Sequence, residues 1–169
     1  STHSAFAALR EDGSVATWGS PDYGGDSTSV AAALSSEVTH IESNHHAFAA
    51  LKENGSVVTW GNSGSGGDSG NVHAHLSSGI TQVASTYGSF AALKENGSVV
   101  TWGSEWSGGD SGSVAEALAS GVARVESSNS AFAAIKAGGS VVTWGSEWEG
   151  GDSSDVSSDI NSGVVEIFS

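Results

Sequence analysis

The chain contains no cysteine, no methionine and one proline, and only five lysines and arginines stand against 19 aspartates and glutamates. Without cysteine there is no disulfide framework, no thiolate zinc site and no thiol nucleophile. No apolar run approaches the roughly 18 residues of a membrane helix, so no membrane insertion is expected. No basic, apolar leader is present and the first residue is Ser1, so the sequence reads as a mature product or an excised segment. The few cations are Arg10, Lys52, Lys94, Arg124 and Lys136, leaving a net charge of −14. Such a surface repels phosphate backbones and anionic lipid, which argues against nucleic acid as a partner. Lack of cysteine does not decide the compartment. The Ser/Gly-rich, acidic composition favours an extracellular or lumenal setting over the cytoplasm.

What is present is a repeat. Phe6, Phe48, Phe90 and Phe132 are 42 residues apart, and so are Trp18, Trp60, Trp102 and Trp144. The 169 residues are four copies, about 1–42, 43–84, 85–126 and 127–169, without linkers. They form one domain, and the recurring phenylalanines and tryptophans are its expected core. The 24 glycines follow no Gly-x-y period, which excludes collagen.

Each copy parses locally. Ala47–Leu51 and Val57–Trp60 are short apolar runs joined by Glu53-Asn54-Gly55-Ser56. Asn-Gly between such runs predicts an antiparallel hairpin with a type I′ turn. A Gly-Gly-Asp-Ser loop follows. Then Val30 and Leu34, with their equivalents Val72 and Leu76, Val114 and Leu118, Val156 and Ile160, predict a short helix by their i, i+4 spacing. Gly79, Gly121 and Gly163 stop it. A third strand closes each unit, the last being Val164–Phe168. So small a unit cannot bury its own face, so the copies must pack on one another.

The opening hairpin lacks a preceding strand, and the terminal segment Val164–Phe168 is such a strand. Pairing the two would close a ring and remove the open edges. Ala5, Ala7 and Ala8 suit a crowded axis where blades converge. The expected fold is all-β: a closed propeller of four blades, each about three strands plus a helical turn.

The stretch Leu51-Lys52-Glu53-Asn54-Gly55-Ser56-Val57-Val58-Thr59-Trp60-Gly61 resembles the RCC1 repeat, roughly A-L-x-x-D-G-x-V-x-x-W-G-x-N-x-x-G-Q-L-G. The match covers the hairpin and Trp-Gly of every copy and implies a β-propeller. The family's His before Ala-Leu is replaced by Ala5, Ala47, Ser89 and Ala131, and its Gly-Gln-Leu-Gly by Gly-Gly-Asp-Ser. The blades are shorter, and there are four rather than the usual seven. None of the family's nucleotide-exchange or chromatin residues carries over. What the resemblance implies is a rigid ring that binds other proteins.

Candidate sites stand out against the repeat. Asp26, Asp68, Asp110 and Asp152 recur and suggest a carboxylate ring for Ca²⁺, although a calcium loop gathers its ligands within a dozen residues. The alternative is that each caps its helix or braces the Gly-Gly turn. Position three holds His3, His45, Tyr87 and Asn129, either a metal-gathering ring mouth or simple loop variability. His73 and His75 read as surface residues. Copy two carries four of the six histidines and a charge of −1, against −5 for copies one and four, so the ring is electrostatically lopsided.

The loop after Trp-Gly varies most. Tyr23, Trp106 and Trp148 lie outside the consensus, so the fold does not demand them. Large aromatics in polar loops serve as protein hot spots or, beside Glu105, Glu147 and Glu149, as sugar platforms. The alternative is that they cover a neighbouring blade. No acid/base pair stands out from the repeat background, serine is too common to single out a triad, and no phosphate-cradling loop is present. The expectation is a non-catalytic interaction module without a cofactor, a peripheral subunit or scaffold of a larger protein assembly. A carbohydrate-binding module using the same aromatics is the alternative.

Overall fold

The computed structural model describes residues 1–169. Eleven strands form four antiparallel sheets. The first sheet pairs β1 (Ala5–Leu9) with β2 (Val15–Gly19) and has no third strand. The second is β3 (Val38–Ser43), β4 (Ala47–Lys52) and β5 (Val57–Gly61). The third is β6 (Ile80–Ser85), β7 (Ser89–Lys94) and β8 (Val99–Gly103). The fourth is β9 (Val122–Ser127), β10 (Ala131–Lys136) and β11 (Val141–Gly145). Each sheet is one blade, as the repeat requires.

The hairpins form where Asn-Gly and Asp-Gly place them, through a different turn. Gly55 donates to Lys52 O at 2.9 Å and Lys52 to Ser56 O at 2.9 Å. Gly55 has φ 72°, whereas Asn54 keeps a negative φ. This is a turn followed by one left-handed glycine rather than type I′. Asn54 Oδ1 accepts from the Ser56 amide at 3.0 Å and its hydroxyl at 2.7 Å. That side-chain brace replaces the second left-handed residue.

The predicted helix is shorter than expected. It is a 3₁₀ turn at Thr28–Val30, His73–Leu76 and Ser154–Val156, and a 3₁₀ turn running into the four-residue α1 (Ala115–Leu118) in the third copy. Its apolar spacing still works, because Leu34, Leu76 and Leu118 are buried between blades.

Three hydrophobic clusters lie between successive blades, and none lies inside one. In each, a phenylalanine stacks on the tryptophan opposite it in its hairpin at 5.1–5.3 Å. The pair presses on the preceding blade. The indole N–H groups of Trp60, Trp102 and Trp144 donate to Gly24, Gly66 and Gly108 carbonyls at 3.0, 3.0 and 3.1 Å. A Cβ on Gly66 would lie 2.7 Å from the Phe90 ring, so glycine is the residue that lets the ring seat.

β3, β6 and β9 pack on one another from blade to blade and form the inner wall. Gln82 bridges two of them, donating to Val125 O at 2.6 Å and accepting from Val125 N at 3.2 Å. The alanine strands therefore do not line the axis as expected. They are the central strands, sandwiched between blades, and need small side chains on both faces.

The expected closure is absent. β1 has only β2 as a strand partner, and Val164–Phe168 is not a strand. The terminal segment follows the fourth blade, with Val164 donating to Gly139 O at 2.9 Å and Arg124 facing Glu166 at 3.8 Å. Blades two, three and four each seat on the blade before by the same Phe/Trp-on-Gly contact, and the first and last sheets do not pair. Phe6 and Trp18, expected in the core, are each 52% exposed because no blade precedes them.

Candidate functional site

The loop after each Trp-Gly is one compact turn built four times. In the third copy Ser107 and Gly109 donate back to Ser104 O at 3.1 and 2.8 Å, and Gly108 donates to Glu105 O at 3.3 Å. Gly108, at φ 90°, rests on Phe132 of the next blade. The turn is thus pinned on one side by the core, with its tip facing solvent. The middle tip residue is Asp22, Gly64, Trp106 and Trp148 in successive copies. Trp106 is 88% exposed and Trp148 94% exposed. Since Gly64 fills the same place, packing does not require either indole.

The third and fourth turns are neighbours. Glu105, Trp106, Gly145, Ser146, Glu147 and Trp148 line one open hollow of about 380 Å³. Its charged groups are the exposed carboxylates Glu105 and Glu147. Two bare indoles beside two carboxylates suit a partner group with an apolar stem and a cationic head, which gains both the π-face and the charge.

Tyr23 and Glu149 do not join this hollow. Both occupy the next turn position, equivalent to Ser65 and Ser107, and Ser107 is buried. Tyr23 packs against the cluster that holds Phe48 and Trp60 and lies 5.8 Å from His3 and 5.2 Å from His46. It covers a neighbouring blade rather than offering a platform. A one-residue offset in the turn decides this, and aligning the four loops shows the offset. Glu149 instead lines a cavity under the terminal segment.

Position three forms a stack. His3 and His45 lie 4.5 Å apart and His45 and Tyr87 4.6 Å apart, with rings inclined by 22° and 24°. A backbone ladder runs beneath: His3 N to His45 O at 2.9 Å, His45 N to Tyr87 O at 3.2 Å, Tyr87 N to Asn129 O at 2.6 Å. The 42-residue spacing of these aromatic residues was the signal for it. His46 joins from the side, with 3.3 Å between His45 Nδ1 and His46 Nε2. Burial, then the neighbouring His45 and His3, hold His46 below the ordinary imidazole pKa.

Nowhere do three or more His, Asp or Glu side chains converge as a metal centre would need. The repeated aspartates are exposed and held apart, one per blade. Asp26, Asp68, Asp110 and Asp152 accept from the amides of Thr28, Gly70, Gly112 and Ser154 at 2.8–2.9 Å, bracing the turn after Gly-Gly. Hydrogen bonds from Thr28 lower the Asp26 pKa, and those from Ser154 lower that of Asp152. His73 and His75 are exposed on their 3₁₀ turn.

No protein-family model and no curated protein matches the sequence. Solved structures do match the fold. Human WBSCR16 superposes with a TM-score of 0.57 at 17% identity, over 85% of this chain and 45% of that one. Prp20p of Saccharomyces cerevisiae, studied with its binding to Gsp1p and histones, gives 0.59 at 19% identity over 85% and 43%. Yeast RCC1 (Prp20) bound to Kap60 gives 0.58 at 18% identity over 85% and 42%. The chain spans less than half the length of each. Four antiparallel sheets in series, the last three each seating a Phe/Trp pair on a glycine of the blade before, give this chain the fold of a run of β-propeller blades, similar to that of yeast RCC1 (Prp20).

Proposed function

We propose that the chain is a non-catalytic interaction module that holds a basic segment of a partner protein at the Trp106–Trp148 hollow, as a scaffold or peripheral part of a larger assembly. The observation that carries this is the pair of almost fully exposed indoles on adjacent, rigid turns, each beside a glutamate, where the repeat itself needs no side chain. Exposed tryptophans are costly to solubility and are enriched in protein hot spots. Net charge of −14 adds attraction for a cationic partner over a distance of about 10 Å at 0.1 M salt. Protein binding by the yeast structural neighbour supports the same class of role.

The test is a display of peptides graded from acidic to basic, with a glycan array beside it. Lys- and Arg-containing peptides should bind, weaken as salt rises, and lose about tenfold or more on Trp106→Ala or Trp148→Ala. Binding to glycans without peptides would replace this reading with a carbohydrate-binding one. Silence on both would remove the hollow as the binding site.

A further inference from the structure

We propose that Asn54 and Asn96 are sites of spontaneous deamidation, where water replaces the side-chain amide by a carboxylate, and that the hairpin tip accommodates the aspartyl product. Of the seven asparagines only these two precede glycine. Both are exposed at equivalent tips, one between β4 and β5 and the other between β7 and β8. In each, only the side-chain oxygen is held. Asn96 Oδ1 accepts from the Ser98 amide at 3.0 Å and its hydroxyl at 2.7 Å, as Asn54 Oδ1 does from Ser56. The departing Nδ2 takes no part in this brace, so its loss leaves the brace intact.

The chemistry needs only water. The Gly55 amide nitrogen attacks Asn54 Cγ, and its proton leaves with the side-chain nitrogen as ammonia. A cyclic imide remains. Water then adds to one of its two carbonyls. Breaking the new N–Cγ bond gives aspartate with the main chain restored. Breaking the original peptide bond gives isoaspartate, in which the main chain runs through Cγ. Glycine favours the attack because no Cβ obstructs the close approach. The tip also restrains it. Gly55 N donates to Lys52 O at 2.9 Å and Gly97 N to Lys94 O at 2.8 Å, so the nucleophile is free only when the turn opens. Opening of an exposed turn is local and costs far less than global unfolding.

The first blade already contains the product. Asp12-Gly13 fills the same place, and Asp12 Oδ1 accepts from the Ser14 amide at 3.0 Å and hydroxyl at 2.6 Å. Gly13 donates to Arg10 O at 3.0 Å and has φ 75°, against 72° and 76° at Gly55 and Gly97. The hydrogen bonds from Ser14 hold the Asp12 pKa below the ordinary carboxylate value, so the brace favours the charged form. Isoaspartate lengthens the main chain by one atom and moves the carboxylate, so the turn bond and the brace cannot both close. Copy four, with Gly138 in this place, has no amide to lose. Asn44 is buried, and its Nδ2 donates to Ser65 O at 2.7 Å, which fixes its amide. The tips lie at the opposite end of the strands from the Trp-Gly turns, so the new charges fall away from the Trp106–Trp148 hollow.

The experiment is incubation of the 169-residue chain in mildly alkaline buffer, folded and in concentrated urea, followed by peptide mass mapping. Asn54 and Asn96 should gain one mass unit before any other asparagine. They should react about tenfold more slowly in the folded chain than in urea, a factor equal to about 1.4 kcal/mol and to one net hydrogen bond. A protease that cleaves before aspartate but not before isoaspartate should find the folded chain's product richer in aspartate than the urea product. Asn54→Asp with Asn96→Asp should leave the circular dichroism and the urea midpoint unchanged. The proposal is overturned if the folded chain reacts first at Asn62, Asn129 or Asn161, which precede serine, or at no asparagine while the urea sample converts fully. Equal rates in both samples, equal shares of isoaspartate, or a lowered midpoint in the double variant would also overturn it.

Discussion

Phe48 and Trp60 of the second hairpin are 1% and 2% exposed, whereas Phe6 and Trp18 of the first, with the same hairpin register, are each 52% exposed. The stacking geometry is the same, with centroids 5.2 Å apart in the first hairpin and 5.1 Å in the second. The pair is therefore made by the hairpin and buried by the neighbour. Local sequence sets the stack, and the preceding blade removes it from water. Much of the stability of such an array resides in the contacts between repeats.

That contrast can be broken most directly by truncating the two tryptophans. Trp60→Ala should cost about 3–5 kcal/mol, the range for a large buried aromatic. Trp18→Ala, in dilute chain, should cost well under half of that. Urea denaturation of both variants gives the comparison, and equal losses would mean that Trp18 is covered in solution. Next come the glycines on which those rings sit. Gly66→Ala drives a Cβ to 2.7 Å from Phe90, whereas Gly150→Ala meets open space. Both carry the strain of a positive φ, so overpacking should make Gly66→Ala worse by about 1–3 kcal/mol in the same assay.

A smaller effect separates the blade junctions by pH. The folded-state pKa of His46 lies below its ordinary value of 6.5, so folding favours the neutral ring. Stability from this source is complete above pH 6.5. It is lost as pH falls below that value, because the unfolded chain then binds the proton more readily. Urea midpoints between pH 8 and pH 5 should fall, and His46→Ser, the residue of the first and fourth copies at this position, should flatten that slope. The smallest change in stability belongs to the rim. Trp106→Ala and Trp148→Ala should stay within about 0.5 kcal/mol of the parent, as exposed substitutions do, while abolishing peptide binding. A loss as large as that of Trp60→Ala would show that the indoles serve packing instead.

Period, hairpins and blade number were legible in the residues, because each depends on contacts within about a dozen positions. The alanine strand was legible as a crowded position but not as the middle strand, since both its neighbours matter. The tip tryptophans stood out because Gly64 shows the turn to be indifferent to them. Tyr23 did not separate from them by composition, only by its offset of one residue in the turn. Loop stacking of His3, His45 and Tyr87 needed the blades laid side by side, because equivalent loops come together only across 42 residues.

The sequence by itself determined a blade: its 42-residue period, where its strands turn, and which phenylalanines and tryptophans recur in it. Only the tertiary structure decided which glycine receives each Phe/Trp pair. Trp60, Trp102 and Trp144 each bond a glycine 36 residues before, in the preceding blade, so the contact exists only once successive blades pack.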